Sequence, residues 1–105
     1  MDENNKILED ETYVNNKIEY DKNLRKIREE VAKKLIDYRK TINYMAADAP
    51  IEILCLPNVI QSALFAHGCL RVYDLFDLDF TEVKGLGVSR IRDLTTCLDK
   101  FFSML

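Results

Sequence analysis

A chain of 105 residues with 48% hydrophobic side chains has room for one small core and an extension, and is too short for two sizeable cores. No apolar run approaches a membrane span, and Met1-Asp2-Glu3-Asn4-Asn5 lacks the basic and apolar regions of a signal peptide, so a cytoplasmic protein with no membrane partner is expected. The net charge of −3 argues against a generally basic nucleic-acid binder. That charge is unevenly spread. Met1 to Asp21 carries seven acids and two bases, Lys22 to Ala49 four acids and eight bases, and Pro50 to Leu105 seven acids and five bases. The three cysteines, Cys55, Cys69 and Cys97, are odd in number and not closely spaced, which indicates neither a disulfide framework nor a zinc site. Their apolar neighbours predict small buried thiols.

Residues 1–16 are polar and acidic, with Ile7, Leu8, Tyr13 and Val14 too sparse for a core, and are expected to form a flexible or partly helical tail. Residues 17–49 carry the clearest helix of the chain, predicted from Lys17 to Ala47. Leu24, Ile27, Val31, Leu35, Tyr38, Ile42 and Met45 follow one another at steps of 3, 4, 4, 3, 4 and 3, a continuous apolar stripe. Such a rod is roughly 45 Å long, more than its own domain needs. Leu24, Ile27, Val31, Leu35, Tyr38 and Ile42 are therefore expected to contact a partner helix, as in a homodimer, or to fold back on the rest of the chain. Ala49-Pro50 ends the segment, because the residue before proline is driven out of the helical region.

Residues 50–105 read as a compact all-helical unit. Ile51, Ile53, Leu54 and Leu56 lead in, and Pro57 opens a helix that carries Ile60, Ala63, Leu64 and His67 and stops at Gly68. Short helical turns follow through Phe80 and end in a short helix closing at Val83. Gly85-Leu86-Gly87 then makes a tight turn, with positive φ and close backbone approach available at its glycines. Val88, Ile91, Leu94, Leu98, Phe101 and Leu105 define one face of the last helix. Glycine, apolar residue, glycine at a helix start is the mark of a helix-hairpin-helix, which can present backbone N–H groups to a phosphate. A turn serving only to pack two helices is the alternative. The expected core comprises Leu54, Leu56, Ile60, Leu64, Val72, Leu75, Phe80, Val83, Leu86, Ile91, Leu94 and Leu98.

The order Leu54-x-Leu56-Pro57, Leu64 with Gly68, Val72-x-Asp74-Leu75, Phe80-x-x-Val83 and Gly85-Leu86-Gly87 resembles the C-terminal domain of the bacterial RNA polymerase α subunit, over about residues 51–105. The resemblance implies a helix-hairpin-helix domain over these residues, so that with the long helix before it the chain is expected to be all-α. It also implies binding in the DNA minor groove and contact with RNA polymerase or a transcription factor. The implied nucleic-acid-binding residues are Ser62, Gly85, Gly87, Val88, Ser89, Arg90 and Arg92. The family's main groove arginine falls on Val59, its asparagine one turn later on Ser62, and the basic position after the second glycine on Ser89. Arginine supplies most of the attraction in a narrow minor groove, so weak, sequence-tolerant DNA binding is expected. The alternative is a protein-interaction module of the same fold that has lost DNA binding.

No catalytic constellation is present, and no enzyme is expected. His67, the only histidine, is expected to be a satisfied, half-buried residue or a helix-end cation and not a catalyst. Asp74, Asp77, Asp79 and Glu82 lack the spacing and glycine of a calcium loop, and Gly85 and Gly87 lack the third glycine of a dinucleotide site. No metal site and no cofactor are assigned.

Overall fold

The computed structural model describes the backbone from Asp2 and side chains from Asn16 to Leu105, so the tail expected over 1–16 lies outside the fully described residues. The chain is all-helical among the described residues: α1 (Asp2–Thr41), α2 (Tyr44–Ala47), a 3₁₀ turn (Ile51–Leu54), α3 (Asn58–Ala66), a second 3₁₀ turn (Val72–Asp77) and α4 (Val88–Ser103). No helix is long and apolar enough to cross a membrane among the described residues.

The long helix does not run to Ala47. It stops at Thr41, and Asn43 takes an extended conformation while its Oδ1 accepts the Ala46 N–H at 2.8 Å. A side chain that offers its own acceptor to the backbone competes with helix continuation, which is why asparagine starts helices better than it continues them. The stripe's register is lost at this break: Met45 is 83% exposed, and Ala46 is buried in its place.

Upstream of the break the stripe folds back on the C-terminal unit. Val31 and Leu35 are 0% and 4% exposed and belong to the same core as Leu64, Ile91 and Leu98, with Leu24, Ile27, Tyr38 and Ile42 packed against its edge. The residues expected to meet a partner helix are thus covered in cis, chiefly by α4 and the second 3₁₀ turn. All twelve residues expected in the C-terminal core are buried, and Ile51, Cys69 and Phe101 join them.

A polar clasp locks α1 to α4 beside this contact. Asp99 accepts from Lys34 Nζ at 2.6 Å and from Tyr38 Oη at 2.5 Å, while the Tyr38 ring stacks on Phe102 with centroids 3.9 Å apart. Burial works to raise the Asp99 carboxyl, but the hydrogen bonds from Lys34 and Tyr38 and the lysine charge outweigh it and hold the group below its ordinary value. The Tyr38 hydroxyl is pushed up to about 12, by burial first and then by its bond to Asp99 and the carboxylate charge.

Local chemistry sets the remaining turns. α3 ends where Gly68 takes φ +84 and the Cys69 N–H reaches the Leu64 carbonyl at 2.9 Å, the left-handed stop expected of this glycine. Ile51 N–H to Leu70 O (2.9 Å) and Val72 N–H to Ala49 O (3.0 Å) pin the two loops flanking α3 together. Asp74 Oδ2 accepts from the N–H groups of both Leu70 and Arg71 at 2.9 Å and so starts the second 3₁₀ turn. The segment before the glycines is not the short helix expected to close at Val83. Leu78 is extended, and Asp79 Oδ1 takes the Thr81 N–H at 2.9 Å and the Thr81 hydroxyl at 2.6 Å, so Phe80–Glu82 is a turn.

Leu64→Ala and Ile91→Ala are each expected to cost about 2–5 kcal/mol, the usual range for a buried large-to-small change. Leu35→Ala should fall in the same range and leave a single urea transition, because α1 and the C-terminal unit share one core. The clasp adds a pH dependence. The folded hydroxyl of Tyr38 titrates above its unfolded value of about 10, so its contribution is full below that pH and is lost as pH climbs toward 12. Urea melts at about pH 9 and about pH 11.5 should show a larger alkaline loss in the parent than in Tyr38→Phe.

Candidate nucleic-acid interface

The glycine turn and the start of α4 face α1 across an open groove of about 670 Å³. Gly85 takes φ +86, a conformation that requires glycine, and its carbonyl accepts from Arg90 Nη1 at 2.7 Å, so the arginine braces the turn that precedes it. Leu86 is buried and plugs the core between the two glycines. Gly87 is different. Its φ is −86, open to any residue, and its small size serves a close approach: a Cβ there would lie 2.6 Å from the hydroxyl of Tyr20 on α1. Gly87 caps α4 without a side chain, and the Val88 N–H that opens this 16-residue helix meets only the Tyr20 hydroxyl, at a long 3.4 Å, at the edge of the groove.

Five of the residues expected to contact nucleic acid come together here: Gly85, Gly87, Val88, Ser89 and Arg90 all line the groove. Ser62 and Arg92 do not. Both are exposed, Ser62 on α3 and Arg92 on the outer side of α4. Three contributors were not singled out from the sequence: Tyr20, Arg28 and Lys84. Tyr20, Leu24 and Arg28 are four residues apart and so share one edge of α1, a spacing that extends the stripe by one turn.

The groove's electrostatics run against the chain's acidic total. Among the described residues its lining includes Arg28, Lys84 and Arg90 and no carboxylate. Arg28 is half-buried, and its Nε is buried with no hydrogen-bond partner. A desolvated donor of this kind is costly until an acceptor reaches it.

The acids gather in a separate hollow lined by His67, Asp74, Asp77, Asp79 and Glu82. Most are occupied locally: Asp74 and Asp79 hold backbone turns, and Asp77 pairs with Arg39 at 3.3 Å. Hydrogen bonds from Thr81 come first, and the charges of Arg28 and His67 after, in holding the Asp79 carboxyl below its ordinary value. His67 is exposed, not half-buried, because it stands at the α3 C-cap beyond the last turn that touches the core.

The thiols also depart from expectation. Only Cys69 is buried; Cys55 is exposed, in a left-handed conformation that ends the first 3₁₀ turn, and Cys97 is half-buried. Burial, and then the Asp74 charge, push the Cys69 thiol up to about 12; burial first, then Asp93, raises Cys97 as well. Neither is primed as a thiolate nucleophile.

Comparison of the chain with protein-family models, with curated proteins and with solved structures finds no match.

The two glycines should respond differently to a methyl group. Gly85→Ala forces a left-handed alanine and is expected to cost about 1–2 kcal/mol. Gly87→Ala meets only the end of a flexible tyrosine and should cost less than about 1 kcal/mol, while shifting the Tyr20 ring resonances.

Proposed function

We propose that this chain is a small nucleic-acid-binding module of the helix-hairpin-helix kind, weak and tolerant of sequence, acting in transcription. The observation that carries the reading is the groove, free of carboxylates among the described residues, in which Arg28, Lys84 and Arg90 meet the start of α4, whose N-cap Gly87 brings no side chain, within an acidic protein. Phosphate is the ligand such an arrangement suits, since amide donors, helix dipole and cations act on the same oxygen atoms. The resemblance to the polymerase α-subunit domain supports the same reading, along with a cytoplasmic setting. With Val59 exposed on α3 where that family has its groove arginine, base readout is poor and affinity rests on the backbone.

A second reading, contact with RNA polymerase or a transcription factor, is favoured by Val59 and Ile53, both apolar and about half exposed. Among the described residues, a homodimer through α1 would draw on Ile18 and Ile36, which are exposed, because the stripe itself is covered.

Fluorescence anisotropy with labelled duplex DNA tests the first reading. The dissociation constant should lie near 10⁻⁴–10⁻⁶ M, roughly the non-specific range at physiological salt. Replacing Lys84 and Arg90 together by glutamine should weaken binding to all sequences and flatten the salt slope by about one to two. A double variant that binds as well as the parent, with unchanged circular dichroism, removes the hairpin as the site and favours the protein-contact reading.

A further inference from the structure

We infer that Tyr20 is an intramolecular latch on the groove: its hydroxyl occupies the place that a nucleic-acid phosphate oxygen must take at the start of α4, so the chain competes with its own ligand. The inference rests on the nucleic-acid reading above and adds a regulator to it.

The geometry is specific. Tyr20 Oη lies 3.4 Å from the Val88 N–H and against Gly87, close enough that a methyl group there would overlap it. A phosphate oxygen accepting from Val88 needs an N···O distance of roughly 2.7–3.2 Å. It would have to enter the same space, so hydroxyl and phosphate exclude each other at that amide.

The latch is also shallow. A contact of 3.4 Å is a long hydrogen bond, and Tyr20 is 47% exposed, so its ring can turn away without unpacking the core. Upstream, residues 16–19 are all exposed. Downstream, α1 is held by Val31, Leu35 and the clasp on Asp99, none of which need move. Release is therefore a side-chain event at the edge of a fixed helix. The hydroxyl offers one neutral hydrogen bond, whereas a phosphate oxygen carries charge and also meets Arg28, Lys84 and Arg90. Phosphate displaces tyrosine, at a modest loss of apparent affinity.

The test uses the full chain, with Tyr20→Ala to empty the place and Tyr20→Phe to remove only the hydroxyl. Two measurements are made: amide hydrogen exchange at Val88 without DNA, and anisotropy with a labelled duplex at one low salt concentration. Tyr20→Ala should exchange faster at Val88 and bind the duplex about three- to tenfold more tightly, with Tyr20→Phe between it and the parent. Unchanged exchange at Val88 overturns the latch. Equal duplex affinity in parent and Tyr20→Ala overturns the competition while leaving the nucleic-acid reading intact. Weaker binding by Tyr20→Phe makes the hydroxyl a phosphate contact and overturns the latch as well. If neither parent nor variant binds duplex, the nucleic-acid reading falls and takes the latch with it.

Discussion

Seating Val31 and Leu35 in the core of the C-terminal unit is the constraint on which the rest of the molecule depends. A unit of about fifty residues buries a smaller fraction of its surface than a larger domain does and sits at the edge of independent stability. α1 supplies the missing wall: two fully or nearly fully buried side chains, a half-buried border of Leu24, Ile27, Tyr38 and Ile42, and a charged clasp at Asp99. Once that wall is fixed, so is the direction in which α1 continues toward its N-terminus. It passes over the glycine turn, and the groove exists because the helix runs on beyond the core it covers.

That placement changes what the glycines do. In the helix-hairpin-helix expected from the sequence, both would serve the backbone's approach to a ligand. Here Gly85 provides the left-handed turn, and Gly87 provides clearance for a tyrosine arriving from α1. Arg90, read from sequence as a residue beside the groove, spends one of its donors on the Gly85 carbonyl and so stabilises the turn while keeping its remaining donors at the rim. One residue thus serves both the shape and the charge of the site.

Helical periodicity made the core legible. Leu24 to Ile42 and Val88 to Phe101 repeat at three and four because one face must meet the core: Val31, Leu35, Ile91, Leu94, Leu98 and Phe101 are buried, and Leu24, Ile27, Tyr38 and Ile42 pack at its edge. Other features depended on interactions that no spacing encodes. Asn43 breaks the long helix by capping the next four residues, and Asp79 unwinds the segment before Gly85 by accepting from Thr81. Asparagine and aspartate are tolerated in helices often enough that their presence alone does not mark a stop. The cis packing of the stripe was equally hidden, since an apolar face looks the same whether its own chain or another covers it. Of the candidate site, the turn and its following amides were readable from Gly85 to Arg90. Arg28 and Tyr20 were not, because they reach the turn only through the crossing of α1 over it.

The separation of charge follows from the same crossing. The basic excess of residues 22–49 would, on a free helix, be a solvated face with no preferred ligand. Packing α1 by its stripe turns Arg28 toward the glycine turn and leaves Lys33 and Lys40 exposed in solvent, while Lys34 and Arg39 are taken up by Asp99 and Asp77. The acids of the second 3₁₀ turn and its exit are meanwhile held by local hydrogen bonds on another side of the same segment. A net charge of −3 therefore coexists with a groove that, among the described residues, is lined by no carboxylate. Surface potential falls off within about 10 Å at moderate salt, so an anion in the groove responds to Arg28, Lys84 and Arg90 before it responds to the total. It is on this local balance, created by where α1 crosses the turn, that the phosphate reading proposed above rests.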